Sequence, residues 1–157
     1  MGEILENRGA DVIYTRTEDV YQTPFQKAQI ANSDGADFFV SLHRNSSPVP
    51  NQYSGVETLV FDKAGQKLEM AENIGEGTEE AGFKDLGVKE RPGLVVLRRT
   101  KMPAVLVEAG FINNDQDNRL FDERFEDLAQ GIADGILETL DQTEAEEQKY
   151  YRVQTGA

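Results

Sequence analysis

Residues 38–47 read FFVSLHRNSS. Phe38–Leu42 is a mostly apolar, β-prone run of strand length, and it leads straight into His43, the only histidine among 157 residues. A run that is largely apolar, rather than strictly alternating, suits a strand covered on both faces. Upstream, TPFQKAQIANSDGAD (23–37) has Pro24 placed for a first helical turn. The same stretch carries apolar Phe25, Ala28 and Ala31 and ends on a glycine stop at Gly35. A helix feeding a buried strand predicts an α/β protein, and the rest of the chain repeats the alternation.

Downstream, VPNQYSGVETLVFDKAG (49–65) reads as a turn-rich loop and a strand from Val56 to Phe61. A helix is expected around Leu68 to Ala81, with Leu68, Ala71, Ile74 and Thr78 on one face. GLVVLR (93–98) and PAVLVE (103–108) are two more short apolar runs. The strongest helix lies in 114–140, where Phe121, Phe125, Leu128, Ile132, Ile136 and Leu140 recur at three- and four-residue steps behind candidate Asn and Asp caps. Together these elements predict a mostly parallel twisted sheet with helices on both faces.

The two ends read differently. MGEILENRGADVIYTR (1–16) looks like the last turns of a helix, a stop at Gly9 and a strand from Val12 to Thr15. A lone helix of about two turns is marginal, so the sheet is expected to be incomplete at its N-terminal edge. Gln142 to Lys149 is polar and acidic like a linker, and Tyr151 and Val153 then alternate with Arg152 and Gln154 as in the start of a strand. That strand is expected to lack a partner within the chain.

Composition limits the function. The net charge of −13 opposes broad binding of nucleic-acid phosphates. Ten acidic residues and one arginine fall between Asp122 and Glu147, while Lys89, Arg91, Arg98, Arg99 and Lys101 form the one basic block. That block reads either as a solvated loop or as a contact for an anionic substrate. The absence of cysteine excludes disulfides and thiolate metal sites. No apolar run approaches the roughly 18 to 20 residues of a membrane span, and no signal peptide precedes the first strand.

Two strands end in residues of catalytic type, and α/β sites form at the carboxyl ends of strands. Phe38–Leu42 leads to His43, and Ala104–Val107 leads to Glu108 and then AGF. A charged Glu108 closing an apolar run is costly unless it opens into a crevice, although a plain surface strand end gives the same pattern. His43 taken alone reads equally as a hydrogen-bonded structural residue. Catalytic zinc needs three protein ligands, and one histidine does not build such a site unless carboxylates supply the rest. Ser46 and Ser47 stand near His43 without a GxSxG elbow, and no glycine-rich phosphate loop occurs.

SLHRNS (41–46) followed about 65 residues later by PAVLVEAGFINN (103–114) resembles the zinc-dependent N-acetylmuramoyl-L-alanine amidases of bacteria. The similarity runs from Ile4 to Leu140 and includes VIYTRTED, SGVETLVF and GVKERPGLVVLRRTKMPAVLVEAGF. The resemblance implies hydrolysis of the amide between N-acetylmuramic acid and L-alanine in peptidoglycan, in the bacterial wall or outside the cell. It makes His43 one ligand of Zn2+ and Glu108 the general base and acid. The family's other histidine and its glutamate ligand have no counterpart here; Glu3 and Glu6 stand too near the Arg8–Gly9 stop to take that role. The other expectation is a non-catalytic peptidoglycan-binding or regulatory relative. Asn45 is expected to shape the crevice or to cap a loop. YYRVQTGA (150–157) resembles the opening strand of a SPOR domain, a peptidoglycan-binding module. The expected layout is therefore an amidase domain over 1–141, a linker over 142–149 and the beginning of a SPOR-like domain over 150–157.

Overall fold

A computed structural model describes residues 1–16, 18, 21–147 and 152–156, with the backbone alone in 143–147 and 152–156. In chain order the elements are α1 (Gly2–Asn7), β1 (Asp11–Tyr14), α2 (Pro24–Ser33), β2 (Phe38–Asn45), β3 (Val56–Val60), α3 (Gly65–Glu80), β4 (Asp85–Glu90), α4 (Val95–Arg98), β5 (Ala104–Phe111), α5 (Asp115–Glu123), α6 (Phe125–Glu147) and β6 (Arg152–Gly156). The strands form one sheet in the order β1-β6-β2-β5-β3-β4. Every neighbouring pair is parallel except β3 with β5.

Alternation along the strands separates two apolar layers. Phe38 and Val40 of β2, Val105 and Val107 of β5, and Val56 and Val60 of β3 join Leu5, Ile74 and the inner face of α6 in the main core. Phe39, Leu59, Ala104 and Leu106 point the other way, onto Ala31 of α2 and Val96 and Leu97 of α4. The expected strand at Phe38 is therefore covered on both faces, as its apolar run requires. On the main-core side α3 and α6 approach through glycines, Gly77 against Gly131 and Gly135 against Ile74.

Local chemistry explains the best-read helix. Thr23 Oγ1 accepts from the Gln26 backbone N–H at 3.1 Å, and Gln26 Oε1 accepts from the Thr23 N–H at 2.8 Å, a reciprocal cap ahead of Pro24. Gly35 ends the segment at φ 65°, a left-handed conformation that suits glycine.

Several expectations change. GLVVLR folds as the short helix α4 because Val96 and Leu97 turn together into the smaller core. DLGVKE, not anticipated as a strand, forms β4, its pairing supplied by β3 rather than by its own sparse apolar content. The expected long final helix is two, broken at Arg124, where φ −121° and ψ 28° leave helical geometry. The break brings Phe121 and Phe125 edge to face at 5.3 Å. The acidic stretch continues α6 to Glu147, and residues 152–156 are not left without a partner, since β6 lies between β1 and β2 and is parallel to both. Residues 148–151 and 157, on which the expected linker end and domain boundary fall, lie outside the described residues.

Candidate active site

Successive residues of β2 on the α2 side are Phe39, Ser41 and His43, a step of two that carries the chain from apolar to polar. On β5 the same face carries Ala104, Leu106 and Glu108, and on β3 Leu59 and Glu57. Register then aligns them: His43 pairs with Glu108, and Glu108 pairs on its other side with Glu57. The result is a polar row, His43–Glu108–Glu57, across three adjacent strands just beyond the apolar layer of Phe39, Leu106 and Leu59. The two residues expected from the sequence, 65 positions apart, are thus cross-strand neighbours.

His43 and Glu108 are both half-buried. His43 Nε2 pairs with Ser41 Oγ at 2.8 Å, and Ser41 is fully buried, so the ring is oriented by its own strand. Burial, and then the positive charge of Lys27, lower the His43 pKa and favour the neutral ring. Burial, and then the negative charge of Glu57, raise the Glu108 pKa. Glu108 Oε2 is covered and has no hydrogen-bond partner among the described residues. A carboxylate oxygen left so is costly, and a proton held there lessens the cost.

The end of the row is braced by loops. Asp117, 2% exposed, accepts at Oδ2 from the N–H groups of Gly55 at 2.9 Å and Phe111 at 2.8 Å, joining the start of β3 to the end of β5. Asn113 Oδ1 accepts from the Ser47 N–H, and its Nδ2 donates to the Ser47 carbonyl at 2.7 Å, tying the loop after β2 to the loop after β5. Arg44 donates to the carbonyls of Ala109 at 3.2 Å and Phe111 at 3.3 Å and stacks 4.2 Å over the Phe121 ring. Asn45 accepts from the Ser46 N–H at 2.9 Å, the local loop contact that was one of its two expected roles. Beside His43 and Arg44 an apolar cleft of about 430 Å³ opens between Leu42, Phe121, Phe125 and Leu128.

Glu57 was missed in the sequence. The available signal was a charged residue inside the apolar strand Val56–Val60, but its place beside Glu108 depends on an antiparallel register that no local pattern reveals. The basic block goes elsewhere. Arg98 and Lys101 directly precede β5 and sit beside its first residue Ala104, four residues and about 13 Å along the strand from Glu108. As metal donors, the described residues bring no three His, Cys, Asp or Glu side chains together, around His43 or elsewhere.

Residues 1–138 match the N-acetylmuramoyl-L-alanine amidase family, and the chain belongs to it. It is 32% identical over 156 residues to the sporulation-specific N-acetylmuramoyl-L-alanine amidase of Bacillus subtilis, covering 97% of this chain and 59% of that protein. It is 38% identical over 132 residues to the endolysin of Bacillus phage SPP1, covering 80% of this chain and 48% of that one. The chain thus spans about half to three-fifths of these relatives. Among solved structures it resembles the catalytic domain of the amidase CwlV from Paenibacillus polymyxa, at 36% identity and a TM-score of 0.79, over 88% of this chain and 78% of that one.

Proposed function

We propose that this chain is a peptidoglycan amidase domain that hydrolyses the amide between N-acetylmuramic acid and L-alanine, acting on the wall outside the cytoplasm. The observation that carries the reading is the in-register pair His43–Glu108 at the strand ends of an amidase-family fold. Glu108, with its raised pKa and unpartnered oxygen, takes a proton from the attacking water and returns it to the leaving nitrogen. His43, neutral and oriented by Ser41, is one ligand of a catalytic Zn2+. A bound zinc supplies Lewis acidity and a water of lowered pKa. The described residues do not complete its ligand set. In this reading 1–141 is the amidase domain, with residues 142–147 extending its helix α6 and 152–156 pairing within its sheet.

A second reading rests on that incomplete donor set: a relative that holds peptidoglycan without cutting it. Purified sacculi separate the two. The first reading expects new free amines on incubation with the chain, lost in Glu108→Ala. Co-sedimentation with sacculi and no released amine would replace it with the second.

A further inference from the structure

The polar row has a direction. Glu57, half-buried, makes no hydrogen bond or ion pair among the described residues, yet stands directly opposite Glu108. Like charges directly opposed across two strands are destabilising, and no described cation pairs with Glu57. The other end is positive. The turn through Gly35 joins α2 to β2, and the charge of Lys27, in the first turn of α2, acts on His43 at the strand end. Adjacent strands are about 4.8 Å apart, so roughly 10 Å separates the His43 and Glu57 ends of the row.

Amide hydrolysis creates this same separation of charge. Water oxygen joins the carbonyl carbon, the C–N bond breaks and both water protons end on nitrogen, giving a carboxylate on the acyl side and an ammonium on the amine side. Resting on the amidase reading, we propose that Glu57 is the specificity-determining residue for the amine half of the substrate. It receives the leaving amino group as that group takes its proton from Glu108, so the peptide lies toward β3 and the acyl part toward β2 and Lys27. An unpaired carboxylate beside the proton donor suits an ammonium ligand, and a neutral N-acylated end gains nothing there.

The test is calorimetry of the full chain with L-alanyl-D-glutamate, carrying a free amine, and with its N-acetylated form. The wild type is expected to favour the free amine by about tenfold, the usual worth of one charge-assisted hydrogen bond. Glu57→Gln should bring the ratio near one, with the thermal midpoint checking the fold, and Lys27→Met should leave it intact. Equal affinities in the wild type, no binding of either peptide, or a preference that survives Glu57→Gln would each overturn the assignment. Amine release from sacculi, measured in parallel, fails separately: a preserved amine preference with no hydrolysis removes the amidase reading and leaves the ammonium site standing.

Discussion

Gly77 of α3 and Gly131 of α6 touch through their backbones: a Cβ added to either would fall on the carbonyl of the other. The two helices that cover the main core approach this closely only because both positions lack a side chain. Overpacking costs about 1–3 kcal/mol where neighbours can shift, and here the obstruction is backbone. Gly77→Ala and Gly131→Ala should each lower stability by at least about 2 kcal/mol in urea denaturation. Gly93→Ala, with nothing within 4 Å, is the control that should change little.

Removing the Asp117 carboxylate leaves two buried N–H groups, of Gly55 and Phe111, without their acceptor. Each orphaned donor costs about 1–3 kcal/mol, so Asp117→Ala should cost roughly 2–6 kcal/mol. Asp117→Asn keeps an oxygen for both and should cost less. Equal losses in the two variants, read from denaturation midpoints, would contradict this account.

Replacing Glu108 by Gln should lower amine release from sacculi by about 100- to 10,000-fold, the usual worth of a general acid–base group. Stability should move the opposite way. Because its folded pKa is raised, the folded state binds the Glu108 proton more tightly than the unfolded chain. The stability this group contributes is full below its ordinary value of 4.5 and is lost as pH rises through the folded value. Glu108→Gln, which imitates the protonated form, should therefore melt above the wild type at neutral pH and close to it at pH 4. Thermal melts across pH read the difference directly.

Tyr14 donates its phenol O–H to Glu6 Oε1 at 2.7 Å. That hydrogen bond, then burial and the charges of Glu6 and Glu3, push its pKa up to about 12. Phenolate absorbance should therefore show a step near pH 12 that belongs to Tyr14. Tyr14→Phe should remove that step, and Glu6→Gln should return it toward 10.0. The stability it contributes is present below pH 10.0 and lost as pH climbs through about 12.

Zinc titration after chelator treatment tests the donor set itself. With no three donors converging among the described residues, weak binding is expected, well short of one tight equivalent, and weaker still in His43→Ala. A single tight zinc lost in that variant would mean that other groups of the chain complete the site.

Much of the fold was legible because it is written locally. The Leu128–Leu140 periodicity, the Thr23–Gln26 cap ahead of Pro24 and the apolar run at Phe38 each specify their element within a few residues. The cross-strand pair His43–Glu108 was legible as two strand ends, each with an equally ordinary alternative, and the family resemblance joined them. What escaped notice depends on partners distant in sequence. Asp85–Glu90 is a strand because β3 offers it an edge, and Glu57 belongs to the row because β3 runs against β5. Arg152–Gly156 finds its place between two strands more than a hundred residues earlier.

The reversal of β3 and β4 divides the molecule into two rims with separate duties. The turns after these strands, with exposed Phe61, Lys63, Arg91 and Gly93, open away from the polar row and toward the start of β5. A reporter dye, a fusion partner or a surface tether fastened at Gly93 would therefore leave the polar row and its approach clear. The same attachment made at Ser46 or Asn51, on the loop beyond His43, would shadow it.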